Sequence, residues 1–334
     1  MPDTTDRTGA PAGVTLTFVE TNGVRLRVAE AGPDDGPLVL LLHGWPECWY
    51  SWRPQAPALA AAGYRVVAPD LRGFGESDAP AGVEEYDVHH VLGDVLGLLD
   101  HYGAEQAVVV GHDWGAILAW QIALLAPERV RGVVGMSVPY LGRAATPPTE
   151  AWRAAYGDRF FYILYFQQEG AAEAEFDANP RGILAPLYAG GRGADGEQPS
   201  ITDPAMSAGG WIGRLVQPRT LPDWLGEEDL AYYVDAFTRS GFRGGINYYR
   251  NFDRNWETTP QLAGAQVTQP ALFIAGRDDT VVSRGIDTLE ERMRPAVADL
   301  RDVVLLPETG HWVQQQRPAE VNTALLDFLA GLEG

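Results

Sequence analysis

The chain has one cysteine, no lysine and no long apolar run, and each shortage removes a class of protein. A lone Cys48 cannot close an intramolecular disulfide, so a disulfide-stapled secreted scaffold is excluded. The most apolar stretch, around Ala116 to Ala126, falls short of the roughly 20 residues a bilayer-crossing helix needs. The opening Met-Pro-Asp-Thr-Thr-Asp-Arg lacks the basic start and apolar run of a signal peptide. All 25 Lys-plus-Arg positions are arginine, yet 45 Asp and Glu leave a formal net charge of −20. So acidic a chain is repelled by nucleic acid and by anionic membrane surfaces. No His/Cys cluster stands at metal-ligand spacing. The Gly-rich stretch Ala189 to Glu197 follows no strand and lacks the spacing of a phosphate loop, so a surface loop is expected there. These shortages lead us to expect a soluble, cytoplasmic protein without metal, organic cofactor, nucleic-acid partner or membrane partner.

What is present fits a large globular core. Apolar residues make up 46% of 334 positions, enough for one large or two unequal domains. Residues 14–20 and 24–29 read as two strands joined at Asn22-Gly23, a dipeptide suited to the positive φ angles of a tight hairpin. Short apolar runs then recur at Leu38–Leu42, Tyr64–Ala68, Ala107–Val110, Val133–Met136, Leu272–Ala275 and Val303–Leu306, as in strands buried on both faces. An apolar helical stretch follows from Gly115 to Leu125. This alternation predicts an α/β fold with a mostly parallel sheet and helices on both faces, and places ligands at the carboxyl ends of the strands. From Leu141 to Asn255 the buried runs give way to aromatics interleaved with polar residues, the pattern of a mainly helical insertion over that face. The expected organisation is therefore a core in two parts, 1–140 and 256–334, with a helical cap at 141–255.

The residues that follow the apolar runs carry chemistry. Gly111-His112-Asp113-Trp114-Gly115 is a nucleophile elbow with Asp at the position where esterases place Ser. A carboxylate that attacks saturated carbon forms an ester that water can later cleave, whereas a serine would form a dead-end ether. Asp113 therefore points to epoxides or alkyl halides as substrates. The plainer alternative is that Asp113 only caps the following helix. His311, after the last apolar run, and Asp279, after the preceding one, complete the order nucleophile, acid, histidine; Asp278 is the rival for the acid. An imidazole near its usual pKa of about 6.5 is expected to be largely neutral and able to take a proton from water. His43-Gly44-Trp45-Pro46 sits at a strand's end, where the backbone N–H of Trp45 would join that of Trp114 as an oxyanion hole. Gly75-Glu76-Ser77-Asp78-Ala79 imitates a serine elbow, but no buried run precedes it directly and Pro80 breaks any following helix.

The chain resembles the soluble epoxide hydrolases along nearly its whole length. The likeness rests on His43-Gly44-Trp45-Pro46-Glu47, Trp49-Tyr50-Ser51-Trp52-Arg53, Gly73-Phe74-Gly75-Glu76-Ser77, the Asp113 elbow, Tyr162-Ile163-Leu164-Tyr165-Phe166-Gln167 and Asn247-Tyr248-Tyr249-Arg250. It implies an α/β-hydrolase core with a helical cap, no cofactor, and a small apolar epoxide and water as the reactants. It also implies two cap tyrosines, matched here by Tyr162 and Tyr249, that hold and protonate the epoxide oxygen, with Tyr165 and Tyr248 as their neighbours. Phenols with pKa near 10 stay protonated at neutral pH and can donate. Cys48 stands where relatives are expected to carry Ser, and the start of the chain near the hydrolase core leads us to expect no phosphatase domain of the mammalian kind. A dehalogenase of the same fold, which needs no strong proton donor for a departing halide, and a non-catalytic ligand-binding homologue are the competing readings.

Overall fold

The computed structural model describes residues 9–190 and 210–332. Within the expected surface loop Ala189–Glu197, positions 191–197 lie outside the described residues.

Eight strands form one sheet: β1 (Val14–Thr21), β2 (Val24–Ala31), β3 (Leu38–Leu42), β4 (Arg65–Pro69), β5 (Ala107–His112), β6 (Val130–Met136), β7 (Ala271–Gly276) and β8 (Leu300–Leu306). Their order across the sheet is β1-β2-β4-β3-β5-β6-β7-β8. The first two pairings, β1 with β2 and β2 with β4, are antiparallel; from β4 through β3 to β8 every pairing is parallel. Asn22 and Gly23, at φ 45° and 78°, make the hairpin turn between the first two strands as their composition requires.

Every residue of β3, β5 and β7 is buried, which only a sheet covered on both faces can achieve. The helices that cover it are α1 (Gln55–Ala61), α2 (Val88–His101), α3 (Trp114–Leu125), and, after an interval, α11 (Leu289–Met293), α12 (Val313–Gln316) and α13 (Pro318–Ala330). α3 packs on β3, β5 and β6, while α1 and α13 pack on each other. Side chains such as Leu40, Leu41 and Val109 are fully buried, and each contributes about 1.5–3 kcal/mol of hydrophobic stabilisation.

Between β6 and β7 the described residues contain helices and no strand: α4 (Pro148–Tyr156), α5 (Tyr162–Phe166), α6 (Ala171–Ala178), α7 (Pro180–Tyr188), α8 (Glu227–Ser240), α9 (Arg243–Arg250) and α10 (Phe252–Thr258). Aromatic side chains hold this layer together, with Phe166, Phe176, Tyr233 and Phe242 fully buried. No helix among the described residues is long and apolar enough to cross a membrane.

Candidate active site

Asp113 sits between β5 and α3 with φ 52° and ψ −114°, a conformation unusual for any residue but glycine. Backbone strain of this kind costs on the order of 1–3 kcal/mol and persists only where the surroundings over-determine it. The neighbouring glycines show how they do so. A Cβ on Gly115 would lie 1.9 Å from the carbonyl oxygen of Leu42, and one on Gly44 would lie 2.5 Å from the Cβ of Asp113. The elbow thus requires three backbones to approach more closely than any side chain permits. Asp113 accepts the first helical bonds through its carbonyl, from Ala116 N at 3.0 Å and Ile117 N at 3.1 Å. Its carboxylate makes no capping bond, which removes the reading of Asp113 as a mere helix cap.

The carboxylate instead faces the cleft. Trp45 N donates to its Oδ1 at 2.9 Å, and His311 Nε2 stands 3.5 Å from its Oδ2. Trp114 opens α3, so its N–H belongs to the first turn, where backbone donors have no intrahelical acceptor. The Trp45-Pro46 bond is cis, and the hydroxyl of Tyr188 donates to Pro46 O. His43 lies under this turn. Its Nε2 accepts from Leu71 N at 3.0 Å, so Nδ1 carries the proton donated to Gly44 O at 2.8 Å. Burial lowers its pKa to about 4, and the ring stays neutral as a brace for the turn.

Opposite Asp113, His311 Nδ1 pairs with Asp279 Oδ2 at 2.9 Å. Asp279 is buried and also accepts from Val281 N at 2.9 Å, whereas Asp278 is exposed. Geometry therefore brings Asp279, not its neighbour, to the histidine. Burial works against charge on both partners. For His311 the carboxylates of Asp279 and Asp113 overcome it and hold the pKa well above the usual 6.5. For Asp279 the imidazolium of His311 holds the carboxyl below its ordinary range. The expectation of a largely neutral imidazole is corrected here: a ring between two carboxylates keeps its proton for as long as both are charged. Imidazole NMR resonances of His311 should accordingly titrate well above pH 6.5, and Asp113→Asn, which removes one negative neighbour, should bring the midpoint down. A wild-type midpoint near 6.5 would remove this electrostatic picture.

Tyr162 opens α5 and Tyr249 lies near the end of α9, with ring centroids 5.8 Å apart. Burial comes first and the negative charge of Asp113 adds to it, raising both pKa values above the ordinary 10, so both keep their protons; the Tyr162 phenol raises Tyr249 further, whereas the hydrogen bond from Tyr249 acts against the rise at Tyr162. Their neighbours are committed elsewhere: Tyr165 donates to Glu175 at 3.0 Å and Tyr248 donates to Arg72 O at 3.1 Å. The two tyrosine-bearing helices are stitched together by residues that the sequence reading quoted only as likeness. Arg250 Nε donates to Phe166 O at 2.8 Å and its guanidinium pairs with Glu173 at 2.6 Å, while Gln167 Nε2 donates to Tyr249 O at 3.1 Å. Ser77 is not a nucleophile in this geometry. It donates to Asp70 O at 2.6 Å and accepts from Arg27 N at 2.8 Å.

A buried carboxylate missed by the sequence reading ties these loops together. Glu47 Oε2 accepts from Gly44 N at 2.9 Å and from His112 Nδ1 at 2.7 Å; its Oε1 accepts from Gln314 at 3.0 Å and Gln315 at 3.1 Å. The other nitrogen of His112 reaches His311 O at 2.8 Å, so the ring bridges Glu47 and the His311 backbone. Burial alone would push the Glu47 carboxyl up, but His112, Ser51 and the Gly44 N–H outweigh it and bring the pKa down to about 2. One group thus joins the Trp45 turn, the residue before Asp113 in the elbow and the helix that follows His311. Glu47→Gln removes one partner of the buried Glu47–His112 pair and should cost roughly 3 kcal/mol of stability, read from denaturant unfolding. An unchanged unfolding midpoint would exclude this.

Comparison with known proteins gives the family. The family described as alpha/beta hydrolase fold matches residues 37–318. The chain is 50% identical to Epoxide hydrolase A of Mycobacterium tuberculosis over 97% of this chain and 99% of that protein. It is 40% identical to Epoxide hydrolase 3 of Siraitia grosvenorii over 93% of this chain and 96% of that one. The crystal structure of Epoxide Hydrolase A from Mycobacterium thermoresistibile superimposes with a TM-score of 0.87 at 51% identity, covering 95% of this chain and 98% of the other. The chain belongs to the epoxide hydrolases of the α/β-hydrolase fold. Its reaction is the hydrolysis of an epoxide to a vicinal diol, through an ester on an aspartate as is general for that family.

Proposed function

We propose that Asp113 is the nucleophile of this reaction, that Tyr162 and Tyr249 are its proton donors, and that His311, paired with Asp279, activates the water. The observation that carries the proposal is the disposition of the Asp113 carboxylate, with one oxygen against the Trp45 N–H and the other toward His311. The epoxide binds with its oxygen toward the two phenols. Asp113 attacks a ring carbon from the opposite side, the C–O bond breaks, and a phenol delivers its proton to the departing oxygen. This step gives a hydroxyalkyl ester and a phenolate.

Ester formation also cancels the charge of Asp113. His311 then has one carboxylate neighbour rather than two, and its proton becomes easier to lose. The phenolate regains a proton at the expense of His311, which becomes the neutral base the second step needs. Water gives a proton to His311 while its oxygen attacks the ester carbonyl. The Trp45 and Trp114 N–H groups stabilise the resulting oxyanion, supported by His43, Gly44 and Pro46 beneath them. Collapse expels the diol oxygen, which takes the proton of the new carboxylic acid. Asp113 returns as a carboxylate beside the His311 imidazolium, and the overall change is epoxide plus water to diol.

Residues 141–255 act in this proposal as a cap that supplies the phenols and closes the apolar side of the cleft, with α10 running on to Thr258. The substrate is small and apolar, because the walls around the phenols are aromatic. A cytoplasmic setting suits the free, buried Cys48. The test is diol formation from alkyl and aryl epoxides; a wild type that yields none excludes the proposal. Tyr162→Phe and Tyr249→Phe should each lower the ring-opening rate by roughly 10- to 100-fold, and the double variant by about 10³-fold, within the range of general-acid catalysis. Tyr248→Phe, whose hydroxyl bonds only backbone, should leave that rate nearly intact. Equal losses at all three positions in pre-steady-state kinetics would contradict the assignment.

A further inference from the structure

Six aromatic side chains contact one another in a closed circuit beside the nucleophile. Ring centroids are separated by 5.2 Å for Phe161–Tyr162, 5.8 Å for Tyr162–Tyr249, 5.0 Å for Tyr249–Trp114, 4.6 Å for Trp114–Phe252, 4.9 Å for Phe252–Trp152 and 5.8 Å for Trp152–Phe161. The rings come from α3, α4, α5, α9, α10 and the residue before α5, so separate elements converge on one collar.

Burial differs between the rings on the two sides of the phenols. Behind Tyr162, Trp211 is stacked at 4.7 Å and is 6% exposed, with Phe166 and Phe176 fully buried beyond it. The rings on that side are buried. On the collar side Trp152, Phe161 and Phe252 each keep an intermediate exposure, as do Asp113 and His311. An epoxide whose oxygen faces the phenols and whose carbon faces Asp113 therefore extends its substituent toward those three rings.

We infer that Trp152, Phe161 and Phe252 form a subsite for a planar aryl substituent of the epoxide, and that these three residues set a preference for aryl-bearing over aliphatic substrates. The inference rests on the site proposed above. Aromatic rings offer negative faces and positive edges to another ring, a complementarity that a saturated ring of similar size does not return. The collar presents no charged side chain: Asp253, next to Phe252, is taken by Thr149, whose N–H donates to it at 2.9 Å. A charged substituent placed there would lose water without gaining a partner, so the subsite also disfavours epoxides that carry carboxylate or ammonium groups.

The test compares benzyloxirane with (cyclohexylmethyl)oxirane. A methylene separates ring from epoxide in both, which equalises their intrinsic reactivity. The wild-type enzyme should favour the phenyl compound by roughly tenfold in kcat/KM, the size expected of two or three aromatic contacts. Trp152→Leu and Phe252→Leu should each bring the ratio close to one, whereas Trp152→Phe and Phe252→Tyr should retain it. The ratio is insensitive to a general loss of activity, and the two positions lie on different helices, so a folding defect in one variant leaves the other informative. A wild-type ratio near one, or leucine variants with the wild-type ratio, overturns the subsite while leaving epoxide hydrolysis at Asp113 intact. Failure of the wild type to open either compound overturns the site itself and the subsite with it.

Discussion

Asp113→Ala is expected to lower diol formation by roughly four orders of magnitude or more, as for loss of a nucleophile that acts as one unit with its base. No neighbouring group stands ready to replace it. The next carboxylate, Asp279, is buried behind His311 and bound to it, and Ser77 is engaged with backbone groups on both its donor and acceptor sides. The folded state should survive, because the Asp113 side chain makes no capping bond to α3. Alanine inherits the strained φ of 52° without relieving it, so the unfolding midpoint should move little. Diol formation from this variant at the wild-type rate, measured by chromatography of the product, would remove Asp113 from its role.

His311→Gln is expected to separate the two halves of the reaction. Ring opening needs the Asp113 carboxylate and the phenols, and these remain. Hydrolysis of the ester needs a base, and glutamine supplies none. Steady-state turnover should fall by roughly 10³-fold or more, while the first equivalent of epoxide is still consumed. Stopped-flow fluorescence is a suitable monitor, since Trp114 and Trp45 both lie beside the reacting carboxylate. A variant that turns over at the wild-type rate, or one that consumes no first equivalent, would contradict this division of labour.

Much of this was legible before any coordinates, for physical reasons that differ by residue. Six of the eight strands follow from short apolar runs and the first two from the Asn22-Gly23 hairpin; the outline is sharpest where a strand is buried on both faces and has no polar positions to blur it, as at Leu38–Leu42. The elbow was legible because Gly111, Gly115 and Gly44 are forced by close backbone approach. The choice between Asp279 and Asp278 was not, since adjacent residues in a loop point in opposite directions and composition does not say which. Tyr162 and Tyr249 came from likeness to a family; only their neighbours' hydrogen bonds, to Glu175 and to Arg72 O, separate them from Tyr165 and Tyr248 on physical grounds.

Two features were out of reach of the sequence. Glu47 reads as an ordinary polar residue in a turn, and its importance comes from partners 65 and 267 positions away in the chain. The charge state of His311 was misjudged for a related reason. A lone imidazole is neutral near pH 7, but the sum of two carboxylate fields can be assessed only when both distances are known. Long-range contacts decide both cases, and local patterns do not carry them.

The central claim is a covalent ester on Asp113, and the most direct test is the intact mass of His311→Gln protein after incubation with an epoxide. The proposed mechanism predicts a gain equal to the mass of one epoxide molecule, which proteolysis localises to the peptide containing Asp113. An unmodified protein, or a label on any other residue, would contradict it.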